Sequence, residues 1–512
     1  MGRRFPALAL SLLLAAGAAS ACSPTSDPRP PAAADPTVSD PAAPSDPPPR
    51  TPTRPGHPRA VADPAASGEP AKNIILILTD DQRWDSLWAM AAVQQRLGAP
   101  GVTFSNAYVV NPLCCPSRAS ILTGLYSHHT NVWRNTPPHG GYPSFDPRST
   151  VATWLQDAGY RTALVGKYLN GYEDPSVVPP GWDEWFAFLT GSSEGFGGSY
   201  RGFDVSNNGH EQRFGGDEPS YSLDVLERRS LELIRTTRER PLFLYLAVPT
   251  PHSPTIPAPE HAKDFLSGLQ PHRPPNFNEE DVSDKPRWVQ RQRPLNEQGI
   301  AEHVDGRQRK NMQTLLSVDE MVGRIVAAID RQGELEESLI VFASDNGLFW
   351  GEHRLRTKLA PYEEAIRIPL VVRYDAAVAD PASREDRLAL NIDFAATFAE
   401  AAGLRLEGDD GASLLPLLRG EAPAWRERFV VEHLGPEIGL RPRVPTYCGV
   451  HGERWVYVRY VTGEEELYDL QLDPFQLENL ADDPAYVEQL RTERAAMVRG
   501  CRPPPPGMRI GR

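Results

Sequence analysis

Asn73-Ile74-Ile75-Leu76-Ile77-Leu78-Thr79-Asp80-Asp81 is the stretch on which the fold turns. Its aliphatic run has no polar alternation, so a strand built from it must be buried on both faces. That is the mark of a parallel sheet covered by helices. The run ends abruptly in two carboxylates. Three later stretches repeat the pattern. Thr162-Ala163-Leu164-Val165 runs into Gly166-Lys167, and Leu242-Phe243-Leu244-Tyr245-Leu246-Ala247-Val248 runs into Pro251-His252. Leu339-Ile340-Val341-Phe342-Ala343 runs into Ser344-Asp345-Asn346-Gly347. Helical periodicity lies between them, at 151–158 and 312–329. Alternating strands and helices predict an α/β fold with a large, mainly parallel sheet flanked by helices. Such sheets bind ligands beyond the carboxyl ends of their strands. Asp80, Asp81, Lys167, His252, Asp345 and Asn346 are therefore expected to meet at one edge.

Working outward, residues 1–21 read as an export signal. Arg3 and Arg4 precede an apolar stretch, Ala7 to Ala18, too short to stay as a membrane span. Ala19-Ser20-Ala21-Cys22 fits two outcomes: lipidation of Cys22 after cleavage, or plain cleavage after Ala21. The protein is expected outside the cytoplasm, as a surface lipoprotein or secreted, with membrane contact only through that anchor. Residues 22–72, with fifteen prolines between 23 and 72, read as a disordered tether because such a composition cannot bury a core. Residues 73–424 read as the catalytic domain. From 425 the pattern changes to short apolar or alternating runs at 429–432, 455–458 and 466–470, then a helical pattern at 485–500. A smaller antiparallel sheet subdomain over 425–512 follows from these.

The net charge of -14 argues against a nucleic-acid partner, which wants a basic surface. Five cysteines are too few for a disulfide-supported fold. Cys448 and Cys501 are candidates to pair in an oxidising compartment. Cys114 and Cys115 are adjacent and poor partners for each other.

Those two cysteines open the second decisive stretch, Leu113-Cys114-Cys115-Pro116-Ser117-Arg118-Ala119-Ser120-Ile121-Leu122-Thr123-Gly124. Ser117 is expected to cap a helix that starts just after it, placing Cys114 and Arg118 at an end that attracts anions. Asp80, Asp81, Asp345 and Asn346 form an all-oxygen set suited to Ca²⁺ or Mg²⁺. Arg118, Lys167 and Lys358 can meet the oxygens of a sulfate or phosphate. His252 can protonate a leaving alcohol. His353 is a further candidate for substrate contact, whereas His128 and His129 read as structural. A basic cluster, Lys285, Arg287, Arg291, Arg293, Arg307, Arg309 and Lys310, reads either as a solvated loop or as a rim that attracts an anionic polymer.

Together these residues resemble the type I sulfatases of the alkaline-phosphatase-like superfamily. The resemblance rests on Cys114-x-Pro116-Ser117-Arg118 with Leu122-Thr123-Gly124. It continues through Thr79-Asp80-Asp81, Gly166-Lys167, Pro251-His252-Ser253-Pro254, Ser344-Asp345-Asn346-Gly347, Gly351-Glu352-His353 and Lys358, to Glu466-Leu467-Tyr468-Asp469-Leu470. It implies that Cys114 is oxidised to formylglycine by a formylglycine-generating enzyme and that the hydrated aldehyde is the nucleophile. It implies that Asp80, Asp81, Asp345, Asn346 and modified Cys114 hold Ca²⁺. Arg118 would hold the hydrate, Lys167 and Lys358 the sulfate, and His252 would be the acid. Many sulfatases have a histidine where this chain has Leu169, and Asn170 is put forward as a substrate contact in its place. The Lys167-Tyr168-Leu169-Asn170 variant, the doubled cysteine and Leu315-Leu316-Ser317-Val318-Asp319 are most similar to the N-acetylglucosamine-6-sulfatases and the related heparan 6-O-endosulfatases, which implies a sulfated carbohydrate substrate. The alternatives are a phosphodiesterase or phosphonate monoester hydrolase of the same superfamily, or a glycan-binding protein without activity.

Overall fold

The computed structural model describes residues 57–64, 69–190, 200–236, 239–263, 270–437 and 439–511. The export signal, Cys22 and the tether up to residue 56 lie outside the described residues. The site-bearing elements, in chain order, are β1 (Asn73–Asp80), α1 (Cys114–Thr123), β2 (Arg161–Gly166), β3 (Leu242–Pro251), α2 (Gly306–Asp330) and β4 (Ser338–Ser344).

The main sheet has ten strands. β4, β1, β3, β2 and Glu184–Phe188 lie side by side at its centre, all parallel. Every residue of β1, β3 and β4 is buried, as continuous aliphatic runs require. Apolar clusters form on both faces. Ile74, Leu76 and Leu78 pack on one side and Ile75 and Ile77 on the other, the latter against Leu315, Val318 and Val322 of α2.

The expected mainly parallel sheet is mixed at its margins. Leu370–Arg373 returns antiparallel beside β4 and then pairs antiparallel with Val102–Phe104. At the other margin, Phe203–Asn207 and His210–Phe214 form a hairpin. Its turn is Asn208-Gly209, both with positive φ (50° and 87°), the two-residue connection that matches strand twist.

Order begins earlier than the tether reading allowed. Arg59–Ala62 is a strand, paired antiparallel with Leu404–Glu407. Ala60-Val61-Ala62 supplies the backbone N–H groups that the flanking prolines lack, and Arg59 Nη2 meets Glu407 Oε2 at 2.7 Å.

The helix start also differs. α1 begins at Cys114 itself, after an extended Leu113 (φ -147°). Ser117 lies inside the helix, its N–H donating to the Leu113 carbonyl at 3.0 Å and its Oγ accepting from Asn391 Nδ2 at 2.9 Å. Pro116 does not stop the helix, because residues in a first turn need no intrahelical N–H.

Arg428–His433, Tyr447–Gly452, Trp455–Tyr460 and Glu465–Asp469 form a four-stranded antiparallel sheet. It is followed by the helix Val487–Gly500, and a disulfide joins Cys448 to Cys501. This sheet shares a core with the catalytic part: Phe429, Tyr447 and Tyr468 pack in one cluster with Tyr108, Leu113 and Tyr362.

Candidate active site

The ends of β1, β2, β3 and β4 open on the amino end of α1. Asp81 follows β1 in the left-handed region (φ 68°), next to a register irregularity between β1 and β3 at Leu78/Asp80. A non-glycine residue there is strained, and such strain persists where the surroundings hold it. Here Asp81 N–H donates to Asp345 Oδ1 at 3.2 Å, which ties the end of β1 to the loop after β4. Gly166 has a structural reason at the end of β2: a Cβ would lie 2.0 Å from the Ala247 carbonyl oxygen. Without one, Lys167 N–H reaches that oxygen at 2.8 Å.

Oxygen ligands of Asp80, Asp81 and Asp345 lie within 4.8 Å of one another and all three residues are buried. Asn346 Nδ2 donates to Asp81 Oδ1 at 2.7 Å, whereas its Oδ1 is buried without a partner. An all-oxygen set with one loose carbonyl oxygen suits a hard divalent cation. A metal fits these residues on that ground.

The carboxylates are interleaved with cations. Lys167 Nζ bonds Asp80, and Lys358 Nζ bonds Asp81. Arg118 Nε donates to Asp345 Oδ2 at 2.8 Å and Nη1 to the Lys167 carbonyl at 2.8 Å, leaving its buried Nη2 without a hydrogen bond. Burial alone would push the Asp80 carboxyl up. Lys167, His252, Arg118 and Lys358 outweigh it and hold Asp80 far below the carboxylate range. Burial, with Asp80 close by, pushes Asp345 the other way, up.

Cys114 sits among these groups. Lys358 Nζ lies 2.8 Å from Sγ, and the thiol points to Asp80 Oδ1 at 3.6 Å. Burial pushes the thiol up to about 12 although Lys167 and Lys358 oppose it. As a thiol it is protonated at neutral pH and a poor nucleophile. Cys115 is buried beside it, with its N–H donating to Asn135 Oδ1 at 3.0 Å.

His252 is the more open member of the group. Its Nδ1–H donates to the Ser253 carbonyl at 2.7 Å, which leaves Nε2 facing Asp81 Oδ2 at 3.8 Å. Asp81, His252 and Lys358 line a cavity of about 360 Å³ with Ser253, Asn311, Thr357 and others.

Two expected substrate contacts fall elsewhere. His353 is fully buried: Nδ1–H donates to Glu279 Oε2 at 2.6 Å and Nε2 accepts from Asn276 Nδ2 at 3.1 Å. Its ring stacks on Tyr362, so both nitrogens are committed to the core and it does not line the cavity. Asn170 is also buried and absent from the cavity wall, with an unpartnered Oδ1. The basic cluster divides. Lys285 is buried against Glu279 and Asp284, whereas Arg307 lines the cavity. His128 and His129 pair with Glu432 and Asp410, in line with a structural reading. Sequence reasoning missed His303, Arg356 and Arg441 on the cavity wall. No local pattern marks them, although Arg356 lies two residues before Lys358.

A family model described as sulfatase matches residues 72–404. A second, described as N-sulphoglucosamine sulphohydrolase, C-terminal, matches residues 351–499. The chain is 33% identical over 491 residues to the N-acetylglucosamine-6-sulfatase of Homo sapiens, spanning 86% of both chains. It is 27% identical over 498 residues to an N-acetylglucosamine-6-O-sulfatase of Bacteroides thetaiotaomicron, spanning 84% of this chain and 86% of that one. Among solved structures it resembles one in complex with its substrate D-glucosamine-2-N,6-O-disulfate. The TM-score is 0.74 at 25% identity, over 85% of this chain and 98% of that one.

Proposed function

The chain belongs to the sulfatase family and is a sulfuric ester hydrolase; from that premise we propose that it removes a 6-O-sulfate from a sulfated glucosamine, with position 114 as the reacting residue. The observation that carries this reading is the setting of Cys114, between the carboxylates of Asp80, Asp81 and Asp345 and the ammonium groups of Lys167 and Lys358.

Asp80, Asp81, Asp345 and Asn346 would hold the cation, which we take to be Ca²⁺. Bound there, it would draw charge from an ester oxygen and ease loss of a proton from a coordinated hydroxyl. A formylglycine hydrate at position 114 would supply the hydroxyl nucleophile that the protonated thiol does not. Lys358, within hydrogen-bond reach of residue 114, and Lys167 offer ammonium groups to the sulfate oxygens as charge builds on them. Arg118, buried and anchored on Asp345 and the Lys167 carbonyl, has Nη2 3.7 Å from Asp80 Oδ2 with no hydrogen bond made, so it can donate to a group at position 114. His252, oriented through Nδ1, presents Nε2 to the cavity and delivers a proton to the departing alcohol.

Two relatives are described as extracellular sulfatases, or homologues of them, which supports export for this chain. Among the described residues no helix is long and apolar enough to cross a membrane. Lipidation of Cys22 and maturation by a formylglycine-generating enzyme belong to the same reading.

Peptide mass spectrometry across residue 114, on protein from its native host, tests the nucleophile. Aldehyde or hydrate in place of the thiol is expected, and an unmodified thiol removes the mechanism. Rates on an aryl sulfate, an aryl phosphate diester and 6-sulfated N-acetylglucosamine test the substrate. A phosphodiester preferred by orders of magnitude would favour the phosphodiesterase or phosphonate hydrolase alternative.

A further inference from the structure

The cavity beside Lys358 carries more positive charge than one sulfate ester requires. Arg307, Arg356 and Arg441 line it in addition to His252 and Lys358. The inner cations are already engaged, Arg118 with Asp345, Lys167 with Asp80 and Lys358 with Asp81. The three wall arginines differ. Among the described residues, no carboxylate forms an ion pair with any of them. Arg307 Nη1 instead donates to the Arg356 carbonyl at 2.6 Å, which sets two guanidinium-bearing residues on one wall. Some arginines near the same elements are paired, Arg273 with Asp305 and Arg324 with Glu227; Arg309, on the same helix as Arg307, is exposed rather than on the cavity wall. Arg307 is half-buried; burial, with Arg356 adding to it, lowers its affinity for its proton against the opposing pull of Asp81. Asp81 on the same cavity wall is already bonded by Lys358 and Asn346, so gathered guanidinium groups that it does not pair with favour an arriving anion.

The wall also extends outward. A shallower depression shares Arg307, His303, Ser253 and Thr255 with the cavity and adds Lys310. A second shares Arg356 and His303 and adds Arg293. Glu302 borders both and is hydrogen-bonded to Gln298. Part of the basic cluster of the sequence is thus an outer wall continuous with the reaction pocket, whereas Lys285 is not.

We infer that Arg307, Arg356 and Arg441 form a second anion-binding subsite, which takes a further sulfate or carboxylate carried by the same carbohydrate substrate. The subsite rests on the sulfatase reading. It would select doubly anionic substrates over singly sulfated ones, because a guanidinium pairs with either anion through two parallel hydrogen bonds.

The test compares KM for three substrates: 6-sulfated N-acetylglucosamine, glucosamine carrying both N- and 6-O-sulfate, and a 6-sulfated disaccharide with a neighbouring uronate. Wild-type protein is measured beside R307Q, R356Q and R441Q. The expected result is that the wild-type preference for a doubly anionic substrate, read as the ratio of KM values, falls by about tenfold or more in at least one variant. The second sulfate and the uronate separate by which ratio collapses. Arg356 and Arg441 are exposed, so their variants keep the test readable where R307Q fails to fold. Equal KM changes on singly and doubly anionic substrates in every variant, or no wild-type preference, overturn the subsite. Wild-type inactivity on all three sulfates overturns the functional reading instead, a separate outcome.

Discussion

Lys358 and Tyr362 stand four residues apart and enter two buried polar clusters of opposite kinds. Tyr362 joins a closed one. Its hydroxyl and that of Tyr468 donate to Glu466 Oε1 at 2.7 and 2.6 Å, and Tyr460 donates to Oε2 at 2.6 Å. Both oxygens of that carboxylate are satisfied, and the group ties the C-terminal sheet to the segment carrying Lys358. Lys358 joins an open cluster, where Asn346 Oδ1 and Arg118 Nη2 are buried without a hydrogen bond beside three carboxylates, Nη2 lying 3.7 Å from Asp80 Oδ2. Both clusters are buried. The difference teaches that burial of charge does not mark a site by itself. A closed network acts as part of the core, and loose polar atoms mark the place held for a ligand.

The sharpest way to break this contrast is at residue 114. Cys114→Ala should lower turnover of an aryl sulfate by roughly 10⁴-fold or more, the scale on which enzymes lose a nucleophile. Cooperative unfolding should persist, and Cys115→Ala should matter far less. Retained turnover in the first variant would place the chemistry outside the open cluster.

Next comes the closed cluster. Glu466→Leu leaves three buried hydroxyls without an acceptor, at about 1–3 kcal/mol each. Urea unfolding should report a loss of about 3 kcal/mol or more. A loss below about 1 kcal/mol would mean that water already shares those hydroxyls.

A cation should distinguish the clusters a third way. One bound only by folded protein, at a hundred times its dissociation constant, adds about 2.7 kcal/mol of stability. The protein should melt higher in calcium than in chelator, and Asn346→Leu should abolish most of that difference. An undiminished calcium shift in that variant would remove Asn346 from the ligand set.

His433 sharpens the rule at its weakest point. Neither ring nitrogen has a partner, yet it lies outside the open cluster. Burial, with Arg134 adding to it, lowers this ring to about 3, so it avoids charge altogether. Between that value and about 6.5 the unfolded chain holds a proton that the folded chain refuses. Stability should therefore fall as pH falls through this window, by at most about 1.4 kcal/mol per pH unit, and be unaffected by this residue above it. His433→Phe should flatten the slope of urea midpoint between pH 5 and 6.5; an unchanged slope would assign the effect to other groups.

The site was legible where chemistry follows an aliphatic run. Asp80, Lys167, His252 and Asp345 each end a buried strand, and a parallel sheet brings such ends together. The sheet margins were not legible, because a three-residue strand such as Val102–Phe104 carries no period. His353 shows a second limit. Its motif position suggests a pocket residue, but Glu279 and Asn276, far off in sequence, claim both nitrogens. The wall arginines show a third: whether an arginine finds a carboxylate is decided by tertiary neighbours, which no local pattern records.

Cys114 is 1% exposed, locked into a helix beside strand ends that are 264 residues apart in sequence at Asp81 and Asp345. On the proposed chemistry this geometry is a deadline. An enzyme that oxidises the thiol would be shut out once β4 has docked, and would have to meet residue 114 on a chain still unfolded. Conversion and folding would then run in competition. The active fraction of a preparation would be fixed by their relative rates at birth, and no later treatment of the folded protein would raise it.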